Sequence, residues 1–249
     1  SLHDALPISG PPIVKAAIGE VVTKEELGGP QVHLASGVAH NLAEDDTAAI
    51  ALARRYLAYF GPAPAPEDGE RALDGILDLI SPDPRVPFAV LPVLELLADQ
   101  ESLLEVQPQY GGALVTALAR LGGQAVAIVA SNPAVNAGSV DAMAAQKTAQ
   151  FIGVADAHGL PLVFLADTPG VMPGTASERA GTLRHAARMF AAQHRARLPK
   201  LHVTLRKAFG FGSSIMAMNP FDNQTVSLAF PAISLGAMPA GAGASESWW

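Results

Sequence analysis

Short apolar runs alternate with longer amphipathic segments through the second part of the chain. The runs at 125–130, 162–166, 201–205 and 233–235 are mostly apolar, which is typical of strands buried within a sheet. The segments at 142–157 and 183–197 have the length and the alanine, arginine and glutamine content of helices that connect parallel strands. This alternation predicts repeated β-α-β units, and therefore an α/β layered fold.

The first part of the chain has a helical period. Apolar residues from Ile50 to Phe60 recur at helical spacing behind the acidic residues 44–46, whose charges suit the positive end of a helix dipole. We therefore predict an amphipathic helix over residues 44–60. A shorter helix is predicted after Thr23, because Glu26 stands at capping-box spacing and two glycines come soon after it.

Proline separates these two parts. Residues 61–66 read Gly-Pro-Ala-Pro-Ala-Pro, and prolines return at 82, 84 and 87. Proline interrupts regular structure because it lacks the amide hydrogen and has a fixed φ. We therefore expect a proline-rich linker at 61–87, between one unit at 10–60 and a second unit at 88–241.

The two ends of the chain are expected to lie outside the fold. Residues 1–9 fit poorly with the segment that begins at Gly10 and resemble a translated sequencing adapter, so we expect a non-native leader there. Residues 242–249 are small and polar until the final tryptophans, and are expected to form a tail.

Composition narrows the function. Hydrophobic residues make up 49% of the chain and charged residues 16%, which suits a homo-oligomer with a buried partner surface. The net charge of −7, without a lysine or arginine cluster, argues against nucleic acid and against a polybasic membrane patch. No apolar run reaches the ~20 residues that a membrane span requires.

Other chemistries are disfavoured by missing motifs. The absence of cysteine excludes disulfides and thiolate sites, and it fits a cytoplasmic protein. No His-Glu-x-x-His spacing indicates a metal site, and no Gly-x-Ser-x-Gly elbow indicates a serine hydrolase.

Two predicted strands run into glycine-rich turns, at 167–174 and 207–214. Ligands in α/β sheets bind at such carboxyl ends, and backbone amides at a helix start can stabilise an anion. A turn without function would have the same composition. Asp167 equally fits a local turn, and Arg206 with Lys207 equally fits pairing with acids or neutralisation of a ligand. His185, after the first turn, could line the cleft.

Several stretches, taken in their order and spacing, resemble the carboxyltransferase (β) subunits of biotin-dependent acyl-CoA carboxylases, the family of propionyl-CoA and acetyl-CoA carboxylase. Among them are Asp-Thr-Pro-Gly at 167–170 and Arg-Lys-Ala-Phe-Gly at 206–210. The others are residues 10–20, 26–29, 36–40, 119–123, 131–133 and 199–200.

The resemblance implies a crotonase-like (ClpP/crotonase) fold of two halves. This chain is similar to the end of the first half, at 10–60, and to most of the second, at 88–241. The family transfers a carboxyl group from carboxybiotin on a carrier protein to the α-carbon of an acyl-CoA. The early first half, with its own glycine-rich loop, has no counterpart here, so the chain alone is expected to be inactive.

The resemblance also implies site residues. The backbone N–H groups of Phe211 and Gly212 correspond to an oxyanion hole for the biotin ureido oxygen, at positions where the family usually has Gly-Ala. Ser214 falls where some relatives have an aspartate associated with acyl selectivity. Cofactor-lining positions fall on Gly170, Val171, Gly210 and Ser213.

The family's partners are a biotin carboxyl carrier protein, a biotin carboxylase and further copies of the subunit, as a dimer or a hexamer. Two alternatives stay open. One is the carboxyltransferase of a biotin-dependent acyl-CoA decarboxylase, which uses the same donors. The other is a non-catalytic fragment that retains the dimer surface.

Overall fold

The structure is a computed structural model that describes residues 7–62, 73–219, 225–231 and 233–238. The helices are α1 (Pro11–Ile18), α2 (Lys24–Gly28), α3 (Pro30–Ala35), α4 (Asp46–Ala58), α5 (Ile76–Leu79), α6 (Leu91–Leu97), α7 (Ala142–His158), α8 (Thr175–Arg179), α9 (Thr182–Arg195) and α10 (Gly210–Ile215). The strands are β1 (Leu104–Val106), β2 (Leu114–Leu121), β3 (Gln124–Ser131), β4 (Leu162–Thr168), β5 (Lys200–Phe209), β6 (Val226–Ala229) and β7 (Ser234–Gly236).

The strands form one mixed sheet in the order β1-β2-β3-β4-β5-β6, and β7 also pairs with β5. The first three strands are antiparallel neighbours, whereas β3 to β6 run parallel. The crossover from β3 to β4 contains α7, and the crossover from β4 to β5 contains α9. Both crossover helices, and the α/β layered fold, are thereby confirmed.

Alternate side chains of the central strands fill two cores, one on each face of the sheet. On β4, Leu162 and Phe164 pack with residues of α7 and α9, whereas Val163 and Leu165 pack with residues of α6. Burial on both faces explains why this strand is a continuous apolar run in the sequence. The layers place the carboxyl ends of β4 and β5 side by side.

A tight hairpin joins β2 to β3. Gly122 and Gly123 have φ of 58° and 81°, and two successive residues in this left-handed region are typical of a type I′ turn. The carboxylate of Asp99 accepts hydrogen bonds from both glycine amides, at 2.8 and 2.6 Å. The hairpin supplies one of the two antiparallel strand pairs of the sheet, and β1 with β2 supplies the other.

Both helices predicted near the start of the chain are confirmed. At α2 the Thr23 hydroxyl accepts from the Glu26 amide, and the Glu26 carboxylate accepts from the Thr23 amide. At α4 the Asp45 carboxylate caps the helix by accepting from Ala48 at 2.7 Å. Arg55 on α4 then donates to the Leu103 carbonyl at 2.6 Å, which anchors the helix beside β1.

The expectation of a buried strand at 233–235 is correct for the strand and wrong for its burial. The strand lies at Ser234–Gly236, and all three residues are exposed, with Leu235 at 50%. β7 pairs only with the end of β5, and no element within the described ranges covers its faces. The apolar run therefore does not enter either core.

Parts of the predicted linker and ends lie outside the described residues, namely 1–6, 63–72 and 242–249. Within the described part of the linker, α5 forms and Ile80 is buried among residues of α6. The boundary between 10–60 and 88–241 stays a prediction. Among the described helices, none is long and apolar enough to cross a membrane.

Candidate functional site

The two predicted glycine-rich turns meet at the carboxyl ends of β4 and β5. β4 turns through Gly170, whose φ of 130° is rarely adopted by residues with a side chain. β5 passes directly into α10. The helix lies so close to the first turn that a Cβ on Gly212 would be 2.7 Å from the Gly170 Cα. The structure therefore assembles one site from both turns.

The start of α10 presents backbone amides. Phe211 and Gly212 are its second and third residues, and their N–H groups donate to no acceptor among the described residues. The first amides of a helix lack acceptors within the helix, and they form the positive end of its dipole. This arrangement offers two adjacent donors to an anion.

The close approach of the turns predicts the effect of adding one methyl group. Gly212→Ala is expected to lower the free energy of unfolding by about 1–3 kcal/mol, because the new Cβ meets the backbone of Gly170. The matched control is Gly153→Ala in α7, where nothing lies within 4 Å. Gly153→Ala is expected to raise the free energy of unfolding by about 0.5–1 kcal/mol. The free energies of unfolding are measured by denaturant titration. Equal changes in the two variants would contradict the close approach of the two turns.

A buried polar network fixes the other end of α10. His202 on β5 donates through Nδ1 to the Met216 carbonyl at 2.7 Å, and Gln193 on α9 donates to the Ser214 carbonyl at 3.0 Å. Lys200 donates in turn to the Gln193 carbonyl at 2.7 Å. Sequence reasoning missed these residues. The available signal was polar side chains at every second position from Lys200, in a strand predicted to be buried.

Arg206 and Asp167 form a buried ion pair behind the turns. Arg206 donates through Nε to the Asp167 carboxylate at 2.7 Å. Its Nη1 donates to the carbonyls of Ser81, Asp83 and Val86, at 3.1, 2.9 and 2.9 Å. Of the two roles left open for Arg206, the structure therefore has it paired with an acid.

Burial raises the pKa of Asp167, while the hydrogen bond and charge of Arg206 oppose this rise. The hydrogen bond within this turn is made by Thr168, whose hydroxyl accepts from the Gly170 amide at 3.1 Å. Lys207 lies 3.8 Å from the second Asp167 oxygen and donates to the Pro84 carbonyl at 3.1 Å. Lys207 also lines a pocket of about 640 Å³ that opens beside Pro169.

The predicted lining residues of the first turn are held by their backbone. The Gly170 carbonyl accepts from the Val140 amide at 3.0 Å. Val171 forms an isolated parallel bridge with Val140 and is partly buried against the core. Their side chains offer no polar group, so any ligand would meet backbone and apolar surface here.

The predicted residues of the second turn lie within α10 or at its start. Gly210 has a φ of 52° and begins the helix. The Ser213 hydroxyl donates to the Gly210 carbonyl at 2.7 Å, and the Ser214 hydroxyl accepts from Asn219 at 2.7 Å. Both hydroxyls thus have partners within or close to the helix.

Aromatic rings connect the site to α9. The Phe211 side chain is 37% exposed, and its ring centroid lies 5.8 Å from that of Phe190. Phe190 in turn stacks on His194 at 5.7 Å. His185 is half-buried on the same helix, and burial lowers its pKa, with a further contribution from the positive charges of Arg184 and Arg188.

Within the described ranges, no group of three or more histidine and acidic side chains is placed to hold a metal ion.

The sequence matches the carboxyl transferase domain over residues 3–246. The chain belongs to this carboxyl transferase family. It is 37% identical to the methylmalonyl-CoA decarboxylase subunit alpha of Veillonella parvula, over 94% of the chain. It is also 37% identical to the biotin-dependent acetyl-/propionyl-coenzyme A carboxylase beta5 subunit of Mycobacterium leprae, again over 94% of the chain.

The carboxyl transferase fold is equally evident in three dimensions. The chain superposes on the hexameric transcarboxylase 12S, solved with methylmalonyl-coenzyme A and methylmalonic acid bound, with a TM-score of 0.90 and 35% identity. The superposition covers 96% of this chain and 48% of that one. The chain spans about half the length of the curated relatives, 48% and 45% respectively. The crotonase-like fold is thereby confirmed.

Proposed function

We propose that this chain contributes the biotin side of a carboxyltransferase, which moves a carboxyl group between carboxybiotin and the α-carbon of an acyl-CoA. The supporting observation is the pair of amides of Phe211 and Gly212, which lie where the two strand-end turns meet and donate to no acceptor among the residues that the structure describes. The reaction that we propose from family membership forms an oxyanion, and these two amides are placed to stabilise it.

The proposed chemistry assigns a limited role to the protein. Carboxybiotin, when bound, supplies both the carboxyl group and the base for the α-proton. The N–H groups of Phe211 and Gly212 hold the ureido oxygen as negative charge develops on it, and one such donor is worth about 3 kcal/mol in the transition state. No side-chain base is required, which is consistent with the ion pairing of Asp167 by Arg206.

The neighbouring residues shape the surface for this ligand. Gly170 and Gly212 lack side chains that would fill the space between the turns, and Val171 adds an apolar wall. Gly210 sets the entry angle of α10, and Ser213 stabilises that entry through its hydrogen bond. Ser214 occupies the position that we propose for acyl selectivity.

The substrate is proposed as an acyl-CoA ester, and both directions of transfer use the same donors. One similar relative is named a decarboxylase subunit and another a carboxylase subunit, so the family match supports either. The proposed partners are a biotin carboxyl carrier protein, a biotin carboxylase and further copies of this chain, in the cytoplasm.

The test is transfer of a radiolabelled carboxyl group from methylmalonyl-CoA to free biotin. It compares the chain alone with a joined protein, in which the upstream half of the Veillonella parvula relative precedes residue 10. We expect transfer by the joined protein and none by either part alone. A folded, oligomeric joined protein that transfers nothing would contradict the proposal and favour the non-catalytic alternative.

A further inference from the structure

Three polar side chains lie fully buried behind α10. They are Gln193 on α9 and both Lys200 and His202 on β5, each with a relative exposure of 0%. Burying a polar group costs free energy unless it is hydrogen-bonded, and apolar side chains of similar volume often replace buried charged groups without loss of stability. Polar groups at such positions, next to the proposed site, indicate a use beyond packing.

The contacts of Gln193 determine which way its amide points. Lys200 Nζ lies 2.7 Å from the Gln193 backbone carbonyl oxygen and 3.3 Å from the side-chain Oε1. An ammonium group can only donate, so the side-chain oxygen of Gln193 faces Lys200. The amide nitrogen is thereby directed to the Ser214 carbonyl, to which it donates at 3.0 Å. A buried cation thus orients a hydrogen bond to the last turn of α10.

The position of α10 depends on contacts of this kind. The helix has six residues, and a helix this short is not stable by itself in water. It ends at Ala217, whose φ of 57° lies in the left-handed region that glycine usually occupies at a helix end. The amides of Ala217 and Met218 donate to the carbonyls of Ser214 and Ser213, each at 3.2 Å. Packing and side-chain hydrogen bonds from neighbouring elements therefore set where the helix lies.

Ser214 lies within one turn of the two amides proposed to stabilise the oxyanion. It follows Phe211 by three residues and Gly212 by two, which is a rise of about 3–4.5 Å along the helix axis. Moving the Ser214 carbonyl would therefore move or tilt both donors. A misplacement of about 1 Å at a reacting group can slow a reaction about 100-fold.

We propose that Gln193, oriented by Lys200, is a positioning residue for the backbone donors of Phe211 and Gly212. The inference rests on the proposed function, because it identifies a residue that sets the geometry of the same site. Gln193 is fully buried, so it acts through the Ser214 carbonyl and not by contact with a substrate.

The test replaces Gln193 in the joined protein at neutral pH. Gln193→Met is similar in length and removes the donor to Ser214. Gln193→Glu keeps an acceptor for Lys200, but as a carboxylate it offers no donor to Ser214. We expect each variant to lower kcat for transfer to free biotin about tenfold, because the backbone donors stay but shift. The KM for the acyl-CoA is expected to stay within about twofold.

The matched control is Ile128→Val, which separates positioning from stability. Ile128 is buried on β3, two strands from β5, and packs in the core on the other face of the sheet from α9. Losing one buried methyl group lowers stability. We therefore expect a lower midpoint in denaturant titration for Ile128→Val, with kcat unchanged.

Hydrogen exchange gives a second readout that does not require activity. Mass spectrometry of a peptide that spans residues 210–218 reports on the amides of α10 and of the residues that follow it. We expect at least about threefold faster exchange of this peptide in both Gln193 variants than in the unsubstituted joined protein, because α10 loses one of its contacts. Exchange in Ile128→Val is expected to stay within about twofold.

Three outcomes would overturn the positioning role. The first is a kcat within about twofold of the unsubstituted protein in either Gln193 variant. The second is an equal loss of kcat in Ile128→Val, which would attribute the loss to stability. The third is a raised KM for the acyl-CoA at unchanged kcat, which would place Gln193 in substrate binding. A failure of the proposed function is distinct, because it appears as absent transfer by the unsubstituted joined protein.

Discussion

Replacing Phe211 by proline is expected to slow carboxyl transfer by the joined protein about 100-fold to 1000-fold. Proline deletes the amide hydrogen, and loss of one oxyanion donor costs about 3 kcal/mol of transition-state stabilisation. Residue 211 is the second position of α10, where proline is compatible with a helix. Gly210 precedes it and has no Cβ to clash with the proline ring. The helix should therefore survive the loss of the donor.

The matched control is Phe211→Ala, which removes the exposed ring and keeps the N–H. We expect its turnover to stay close to that of the unsubstituted joined protein, as we do for Ser214→Ala. The measurement is kcat and KM for free biotin at saturating acyl-CoA, with circular dichroism to verify folding. If alanine and proline at 211 reduce kcat equally, the aromatic side chain is responsible and the backbone assignment is wrong.

The central layers of the fold could be predicted because their signals are local. β3 and β4 are buried on both faces, so each is an apolar run, and α7 and α9 have the length of crossover helices. β2 escaped prediction. Its sequence at 114–121, rich in leucine and alanine, fits a helix as well as a strand. The Gly122-Gly123 turn makes β2 one arm of a hairpin, and Asp99, more than 20 residues away, accepts hydrogen bonds from both amides of that turn.

The candidate site also contains some residues that could be predicted from the sequence and others that could not. Gly170, Gly210 and Gly212 were predicted as site residues from the glycine-rich turns at strand ends and from the family resemblance, because glycine lets a ligand or another backbone approach closely, and their roles in binding stay predictions. The network through Lys200, Gln193 and His202 was missed, since its partners come together only when α9 packs against β5 and α10. Composition shows that a polar residue is present, whereas its partner is set by the fold.

The role of Arg206 depends on partners that are distant in the sequence. Its replacement is expected to lower the free energy of unfolding strongly. Arg206→Met is expected to lower the free energy of unfolding by about 3–5 kcal/mol, because it leaves the Asp167 carboxylate buried without its partner. It also removes the donor to three carbonyls of residues 81–86 and the contact with the Phe88 ring, 4.7 Å from the guanidinium. Denaturant titration at neutral pH measures this loss.

The loss in free energy of unfolding caused by Arg206→Met is expected to depend on pH. This dependence distinguishes the loss of the ion pair from the loss of packing. Without Arg206, burial of Asp167 is opposed only by the charge of Lys207, so the folded pKa of Asp167 rises further above the unfolded value of about 4. A carboxyl with a raised folded pKa stabilises the protein below the unfolded pKa and loses that contribution as pH increases. The deficit of Arg206→Met should therefore shrink as the pH falls towards 4.

Adding Asp167→Asn to Arg206→Met tests the same cause at neutral pH. The second change removes the stranded charge, so the double variant should recover a large part of the loss. Lys207→Met serves as the control, because Lys207 lies 3.8 Å from Asp167 and donates to one carbonyl, against the three that Arg206 holds. Lys207→Met is expected to lower the free energy of unfolding by well under half as much as Arg206→Met. The stranded charge would not be the cause if the loss were independent of pH and the double variant recovered no stability. The loss would then come from the hydrogen bonds that Arg206 donates to the three carbonyls.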